Sequence, residues 1–388
     1  MRAVVCLLVV GALAPLATTP AGAGTFKQVY SFSGGADGNY PYAGLIKVRG
    51  KLYGTTSGGG TAADGTLFSV DPKTGAETIA YSFKGGNDGS QPTTGLLDVG
   101  GTLYGTTNAG GGVSNPGTVF AFDPTNGIET VKHSFFEQDG VNPGGSLIEV
   151  NGTLYGVTSE GGSALGGNCS AGCGTVYSID PTTGIETVVH AFSLSDGAEP
   201  EGSLINVNGA LYGTTFLGGT ADEGTVYSVN KATGTETVLY SFQGGTDGYG
   251  PAAGLIEFRH RLYGTTNFGG AYGAGTVFSV NPKTGAEKVL HSFGASGDGF
   301  NPVAGLIKVG GTLYGTTRGG GAGQGNGTLF SVNTKTGAET VLHSFSFTDG
   351  SLVYGSLLKF DGSLYGTALQ GGFGHCVNGC GTVFSFTP

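Results

Sequence analysis

The stretch "LYGTT" occupies Leu52–Thr56. It returns at Leu103, Leu211, Leu262 and Leu313, and in altered form as "LYGVT" at Leu154 and "LYGTA" at Leu364. The tyrosines of the seven copies are Tyr53, Tyr104, Tyr155, Tyr212, Tyr263, Tyr314 and Tyr365, spaced 51, 51, 57, 51, 51 and 51 residues apart. A fixed period near 50, filled with strand-like segments, marks a propeller blade or another β array. The one longer step contains the loop that carries Cys169 and Cys173.

One unit reads "AGLIKVGGTLYGTTRGGGAGQGNGTLFSVNTKTGAETVLHSF", Ala304 to Phe345. Strand A is "GLIKV". A two-residue turn, "GG" here and "NG", "RG", "RH" or "DG" elsewhere, leads to strand B, "TLYGTT". Such turns need positive φ and make hairpins. A Gly-rich loop leads to strand C, "GTLFSV". "NTKTG", elsewhere "DPKTG" or "NPKTG", supplies turn chemistry before strand D, "ETVLHSF". Four antiparallel strands per unit make one blade. Along strand B, alternation puts Tyr and the first Thr on one face, and Leu, Gly and the second Thr on the other. The Tyr is expected to fill the space between blades, and the Gly to let backbones approach closely.

The chain ends test the ring. "TFKQVYSF", Thr25–Phe32, matches strand D, and "GTVFSFTP", Gly381–Pro388, matches strand C. Pairing the two closes the circle and removes open sheet edges. An open solenoid would instead want distinct capping repeats. The expectation is an all-β, seven-bladed β-propeller over residues 24–388, closed by its N-terminal strand.

Composition agrees. Gly makes up 80 of 388 residues, about three times the ordinary share of roughly 7%. Val, Ile, Thr, Tyr and Phe are regularly placed, which argues against disorder. Residues 1–23 have a basic Arg2, an apolar run from Val4 to Leu16 and an Ala21-Gly22-Ala23 cleavage site, the signature of a secretory signal peptide. Cys6 lies too early for a lipoprotein anchor. No second apolar run of about 18 residues follows, so no membrane insertion is expected. Without Arg2 the chain has 16 basic against 27 acidic residues, a net charge of −11. That disfavours nucleic acid and anionic membrane as partners.

Four cysteines remain, as "NCSAGC" (Cys169, Cys173) and "HCVNGC" (Cys376, Cys380). In an exported chain the simple reading is two local disulfides, each stiffening a loop tip. A four-thiolate zinc site is disfavoured because the pairs lie on blades three and seven.

"GTVFSVNPKTGAEKVLHSF" and "GLIKVGGTLYGTT" resemble the tandem repeat of exported bacterial proteins called the choice-of-anchor or GloVer repeat. The resemblance spans all seven units. It implies export and often a C-terminal sorting anchor, although this sequence stops at Pro388 with no apolar tail. It implies no activity.

The D–A and B–C loops open on one face of a propeller and are the long ones here, so loop-borne function is expected there. Each D–A loop carries "DG": Asp37, Asp88, Asp139, Asp196, Asp247, Asp298 and Asp349. A carboxylate ring at the channel mouth would bind Ca²⁺ through oxygen. The plainer expectation is that each Asp accepts hydrogen bonds from its own turn. His133, His190, His291 and His343 hold a strand-D position that is Tyr30, Tyr81 or Tyr240 in other units, and are expected to pack between blades. Units differ most just after strand B and just after "DG". There Tyr40, Phe216, Tyr249, Phe268, Phe300 and Arg318 suit sugar recognition, rings stacking on pyranose faces while amides read hydroxyls. Glu160, Glu199 and Glu201 offer a carboxylate pair for glycosidase or lyase chemistry. The nucleophile elbow, zinc-protease and phosphate-loop motifs are all missing from the sequence.

The sequence therefore predicts an exported, monomeric, non-catalytic propeller that binds extracellular or envelope polysaccharide. A propeller glycosidase or lyase and a protein-interaction scaffold are the alternatives, since propellers host all three.

Overall fold

The computed structural model describes residues 24–112, 115–162, 169–322 and 325–388. The signal segment 1–23 lies outside them. Seven four-stranded antiparallel sheets follow one another around a ring. In blade 1, strand A is Ile46–Val48, strand B Lys51–Thr56, strand C Thr66–Val70 and strand D Glu77–Ser82. Blade 7 takes its strand D from the start of the chain. Thr25–Ser31 pairs antiparallel with Thr382–Thr387, from Thr25↔Thr387 to Ser31↔Thr382. Strand A is shorter than expected in six blades, three residues as in blade 1, where "GL" precedes the ladder, whereas in blade 3 it runs from Val141 to Val150. The A–B turn is a two-residue hairpin with both residues at positive φ, Arg49 at 49° and Gly50 at 83°.

Blades are joined by aromatic pairs. The Phe that ends each strand D is buried and meets, edge to face, the strand-C aromatic of the next blade. Phe32–Phe68, Phe83–Phe120, Phe135–Tyr177, Phe192–Tyr227, Phe242–Phe278, Phe293–Phe330 and Phe345–Phe384 have centroids 4.9–5.1 Å apart. Each such pair is worth about 0.5–1.5 kcal/mol beyond its burial. The motif tyrosine does fill the blade interface: Tyr53 packs with Leu67 of its own blade and Leu96 and Leu103 of the next.

The motif glycine has a different cause from the one expected. A Cβ on Gly54 would lie 2.7 Å from the ring of Phe68, and on Gly105 2.6 Å from that of Phe120. The same holds at Gly156, Gly213, Gly264, Gly315 and Gly366. A strand-C ring lies across the glycine, where close backbone approach was expected.

Candidate functional site: a seven-sided cup at the channel mouth

The D–A loop runs from the outer strand of one blade to the inner strand of the next. The residue after its "DG" pairs with the second residue past strand B, as in Asn39↔Gly58, Ser90↔Ala109, Ala198↔Leu217 and Tyr249↔Phe268. The following residue is left-handed in all seven blades. Tyr40, Gln91, Asn142, Glu199, Asn301 and Leu352 have φ of 53–58°, and Gly250 has 65°. That conformation costs a side-chain-bearing residue roughly 1–2 kcal/mol, so its surroundings must hold it. They do so with backbone bonds. The Tyr40 N–H donates to the Cys380 carbonyl of the preceding blade, and the Tyr40 carbonyl accepts the N–H of Ser57. Glu199 does the same with Cys173 and Phe216.

Two residues further on, every blade presents one position to the channel: Tyr42, Thr93, Gly144, Glu201, Ala252, Val303 and Tyr354. All seven line a cavity of about 500 Å³. Asn108, Asn142, Ser159, Asn267 and Arg318 complete its wall. Beneath them comes a ring of Gly and Ser, where neighbouring inner strands nearly touch. A Cβ on Gly44 would lie 2.6 Å from the Ser356 carbonyl oxygen, and on Gly254 2.9 Å from that of Ser203. The cavity is thus a cup with a narrow base.

Its wall is asymmetric. Tyr42 and Tyr354, on blades 1 and 7, stack with centroids 4.5 Å apart and planes at 25°. The Arg318 guanidinium lies 5.7 Å from the Tyr354 ring centroid. Burial pushes the Tyr42 phenol up to about 12, helped by Tyr354 and Glu201 and opposed by Arg318. Glu201, on blade 4, stands across the ring from the blade 7–1 junction. Its surface is exposed to the cup, yet desolvation by the surrounding wall pushes its carboxyl up to about 7, with Glu199 adding repulsion. Both disulfides, Cys169–Cys173 and Cys376–Cys380, are formed. They brace the loops that receive Glu199 and Tyr40, two residues before Glu201 and Tyr42.

Of the residues singled out from sequence, Arg318 and Glu201 line the cup. Tyr40, Phe216, Tyr249, Phe268 and Phe300 do not. Phe216, Tyr249 and Phe268 gather instead beside Gly250 on the rim of blades 4 and 5. There Tyr249 and Phe268 stack at 5.2 Å, and a Cβ on Gly250 would lie 3.0 Å from the Phe216 ring. Phe300 covers Gly319. Glu160 and Glu199 also stay off the wall. The Glu199 carboxyl is raised by burial, then by Glu160 and Asp222, so the three glutamates are near one another electrostatically. Tyr42 and Tyr354 were missed. Their signal was a position reading Tyr, Thr, Gly, Glu, Ala, Val, Tyr within an otherwise uniform repeat.

The "DG" aspartates lie elsewhere, at the outer blade interfaces. Each caps its own loop: Asp37 accepts the Ser33 N–H and Asp88 the Lys84 N–H. Each also accepts from strand D. Tyr30, Tyr81 and Tyr240 donate O–H to Asp37, Asp88 and Asp247. His133, His190, His291 and His343 place Nε2 3.0–3.1 Å from Asp139, Asp196, Asp298 and Asp349. Tyr and His interchange here because each can offer a hydrogen bond to the same carboxylate. Glu from the next blade's strand D joins six of these sites: Glu77, Glu129, Glu186, Glu236, Glu287 and Glu339. Each keeps one buried carboxyl oxygen with no hydrogen bond from protein. Burial first, then the neighbouring Asp, pushes five of them up to about 7 and Glu129 to about 8. His133, Asp139 and Glu186 bring donor atoms within 4.8 Å of one another, as do His291, Asp298 and Glu339. Three sites use Tyr in place of His, so the contact to the Asp carboxylate does not depend on an imidazole.

Among solved structures, the extracellular domain of a hybrid two-component system from B. thetaiotaomicron is similar, with TM-score 0.60 and 12% identity. The similarity covers 93% of this chain and 39% of that one. An oligogalacturonate lyase from Vibrio parahaemolyticus matches with TM-score 0.55 and 13% identity, over 94% of this chain and 97% of that one. At such identities these likenesses establish the propeller fold alone. No curated protein matches the chain in sequence. Residues 16–170 and 164–384 match the Gloeobacter/Verrucomicrobia repeat, and the chain, with its seven repeats each folded as one blade, belongs to that family.

Proposed function

We propose that this protein is an exported, non-catalytic binding propeller whose cup takes a saccharide of an extracellular or envelope polysaccharide. One observation carries this: seven near-identical blades diverge at the positions that line the cup. Packing asks for sameness at equivalent positions, and recognition asks for difference. The divergent set pairs two stacked tyrosines with Asn108, Asn142, Asn267, Ser159 and Arg318. Aromatic faces and amide or hydroxyl groups are what a polyhydroxylated ring requires. Export draws support from the two disulfides, which persist in oxidising compartments. No helix of the described residues is long and apolar enough to cross a membrane.

The test is a glycan and polysaccharide array probed with the purified protein in calcium and in EDTA. A selective, saturable signal is expected in both. A signal confined to calcium would assign the carboxylates a metal-binding role. A blank array in both conditions would leave a protein-binding scaffold as the better account.

A second reading has one observation in its favour. Desolvation pushes the Glu201 carboxyl up to about 7 on the cup wall, which suits a general acid or base. New reducing ends or unsaturated sugar products from the array's ligand would establish a glycosidase or lyase.

A further inference from the structure

We infer that the cup's ligand is an acidic saccharide, whose carboxylate pairs with Arg318 while its sugar ring lies against the Tyr42–Tyr354 pair. This rests on the saccharide reading above and names the class within it.

Among the described residues, Arg318 is the one Lys or Arg on the cup wall. The equivalent position in the other blades holds Ser57, Asn108, Ser159, Phe216, Asn267 and Leu369, none of them cationic. The backbone does not require a cation there, because the N–H of this position makes the same bond in other blades. Arg318 donates to Asn301, as Ser57 does to Tyr40 and Asn108 to Gln91.

The guanidinium is also unneutralised. Among the described residues the ion pairs are four His–Asp contacts, and none includes Arg318. Its side chain is exposed, and its recorded contact is the face of Tyr354. That contact sets the guanidinium over the ring, and among the described residues none accepts a hydrogen bond from its side-chain N–H donors. A planar fork of donors matches the two oxygens of a carboxylate. A neutral sugar would give those donors only hydroxyls.

The surroundings limit how much charge the ligand carries. The chain has 17 basic against 27 acidic residues, so its field opposes dense polyanions. One cation per cup suits one carboxylate per sugar. Across the cup, desolvation and Glu199 push the Glu201 carboxyl up to about 7, so it does not present a full opposing charge in mildly acidic solution. The geometry orients the ligand as well. Arg318, Tyr354 and Tyr42 come from blades 6, 7 and 1 in succession. They form one continuous cationic-aromatic wall that can read a carboxylate and the ring bearing it.

The test is calorimetric titration of the full protein at pH 6.5 and fixed ionic strength. The probes are oligosaccharides of galacturonate, of mannuronate and of glucuronate, each beside its own methyl ester. At least one acid is expected to bind about tenfold or more tightly than its ester, the range of a charge-assisted hydrogen bond. Arg318→Gln is expected to bring that acid down to its ester, and Arg318→Lys to restore part of the difference. Thermal melts of both variants check that the fold is kept. Acids and esters binding alike, or an acid preference that survives Arg318→Gln, would overturn the inference and leave the saccharide reading standing. Failure of every acid, ester and neutral glycan to bind would overturn both.

Discussion

At the scale of single residues, "LYGTT" is a packing code in which each letter has a separate physical cause. Leu52 is fully buried, and Tyr53 enters the core shared with the next blade. Gly54 leaves room for the Phe68 ring. The Thr55 hydroxyl donates to the Thr94 carbonyl of blade 2. The Thr56 hydroxyl lies 2.8 Å from that of Thr66 on strand C, and donates to Gly58. The hydroxyl pair recurs in blades 1 to 6. In blade 7 Ala368 replaces the second Thr, and Thr382 donates instead to the Asp349 carbonyl. Sequence periodicity showed that these five residues matter to every blade. It could not show that a strand-C ring covers the glycine, because that contact is fixed by sheet geometry. Gly54→Ala should therefore destabilise the fold by about 1–3 kcal/mol through overpacking. Urea denaturation of the variant measures this, and an unchanged midpoint would contradict the assigned contact.

At the scale of elements, the blade interface is both an aromatic joint and an acid joint. A one-residue bulge in strand D precedes every Tyr or His that reaches an Asp, as between Leu67 and Phe68 in the strand C pairing. Bulges re-aim side chains, which explains why simple alternation did not place these rings. The six interface glutamates set a pH dependence. Their folded-state values, about 7 to 8, lie above the ordinary carboxyl value of 4.5. A raised carboxyl favours the folded state while protonated, so the contribution is complete below about 4.5 and is lost as pH rises through 7 to 8. The melting temperature should fall from pH 5 to pH 8. Glu186→Gln mimics the protonated form, so it should match the parent at pH 5 and exceed it at pH 8. Equal loss at both pH values would mean that the Glu186 contact depends on a charged carboxylate.

At the scale of the whole molecule, the ring and its closure were legible in the sequence because the chain ends carry complementary strands. The site was legible only in part. Arg318 and Glu201 stood out as charges at variable positions, whereas Tyr42 and Tyr354 looked like ordinary loop residues. Their meeting depends on blades 1 and 7 being neighbours, which is a property of the closed circle. The acid pattern breaks one interface earlier, between blades 6 and 7. Where six blades have Glu on strand D, the closing strand has Phe26, stacked on His343 at 3.8 Å with planes at 6°. A ring stack thus takes the place of the acid contact between blades 6 and 7. Phe26 is half-buried, so Phe26→Glu should loosen that interface by about 1–2 kcal/mol, part of the roughly 3–5 kcal/mol that losing a fully buried aromatic costs, and lower the melting temperature. A variant as stable as the parent would show that Phe26 does not hold blades 6 and 7 together. The central claim, that the cup is the binding site, is tested most directly by comparing the parent protein with Tyr42→Ala and Tyr354→Ala on the best glycan from the array. Saturable binding that drops at least tenfold in each variant, with unchanged melts, is the expected result. Binding that both variants retain in full would place the ligand elsewhere and contradict it.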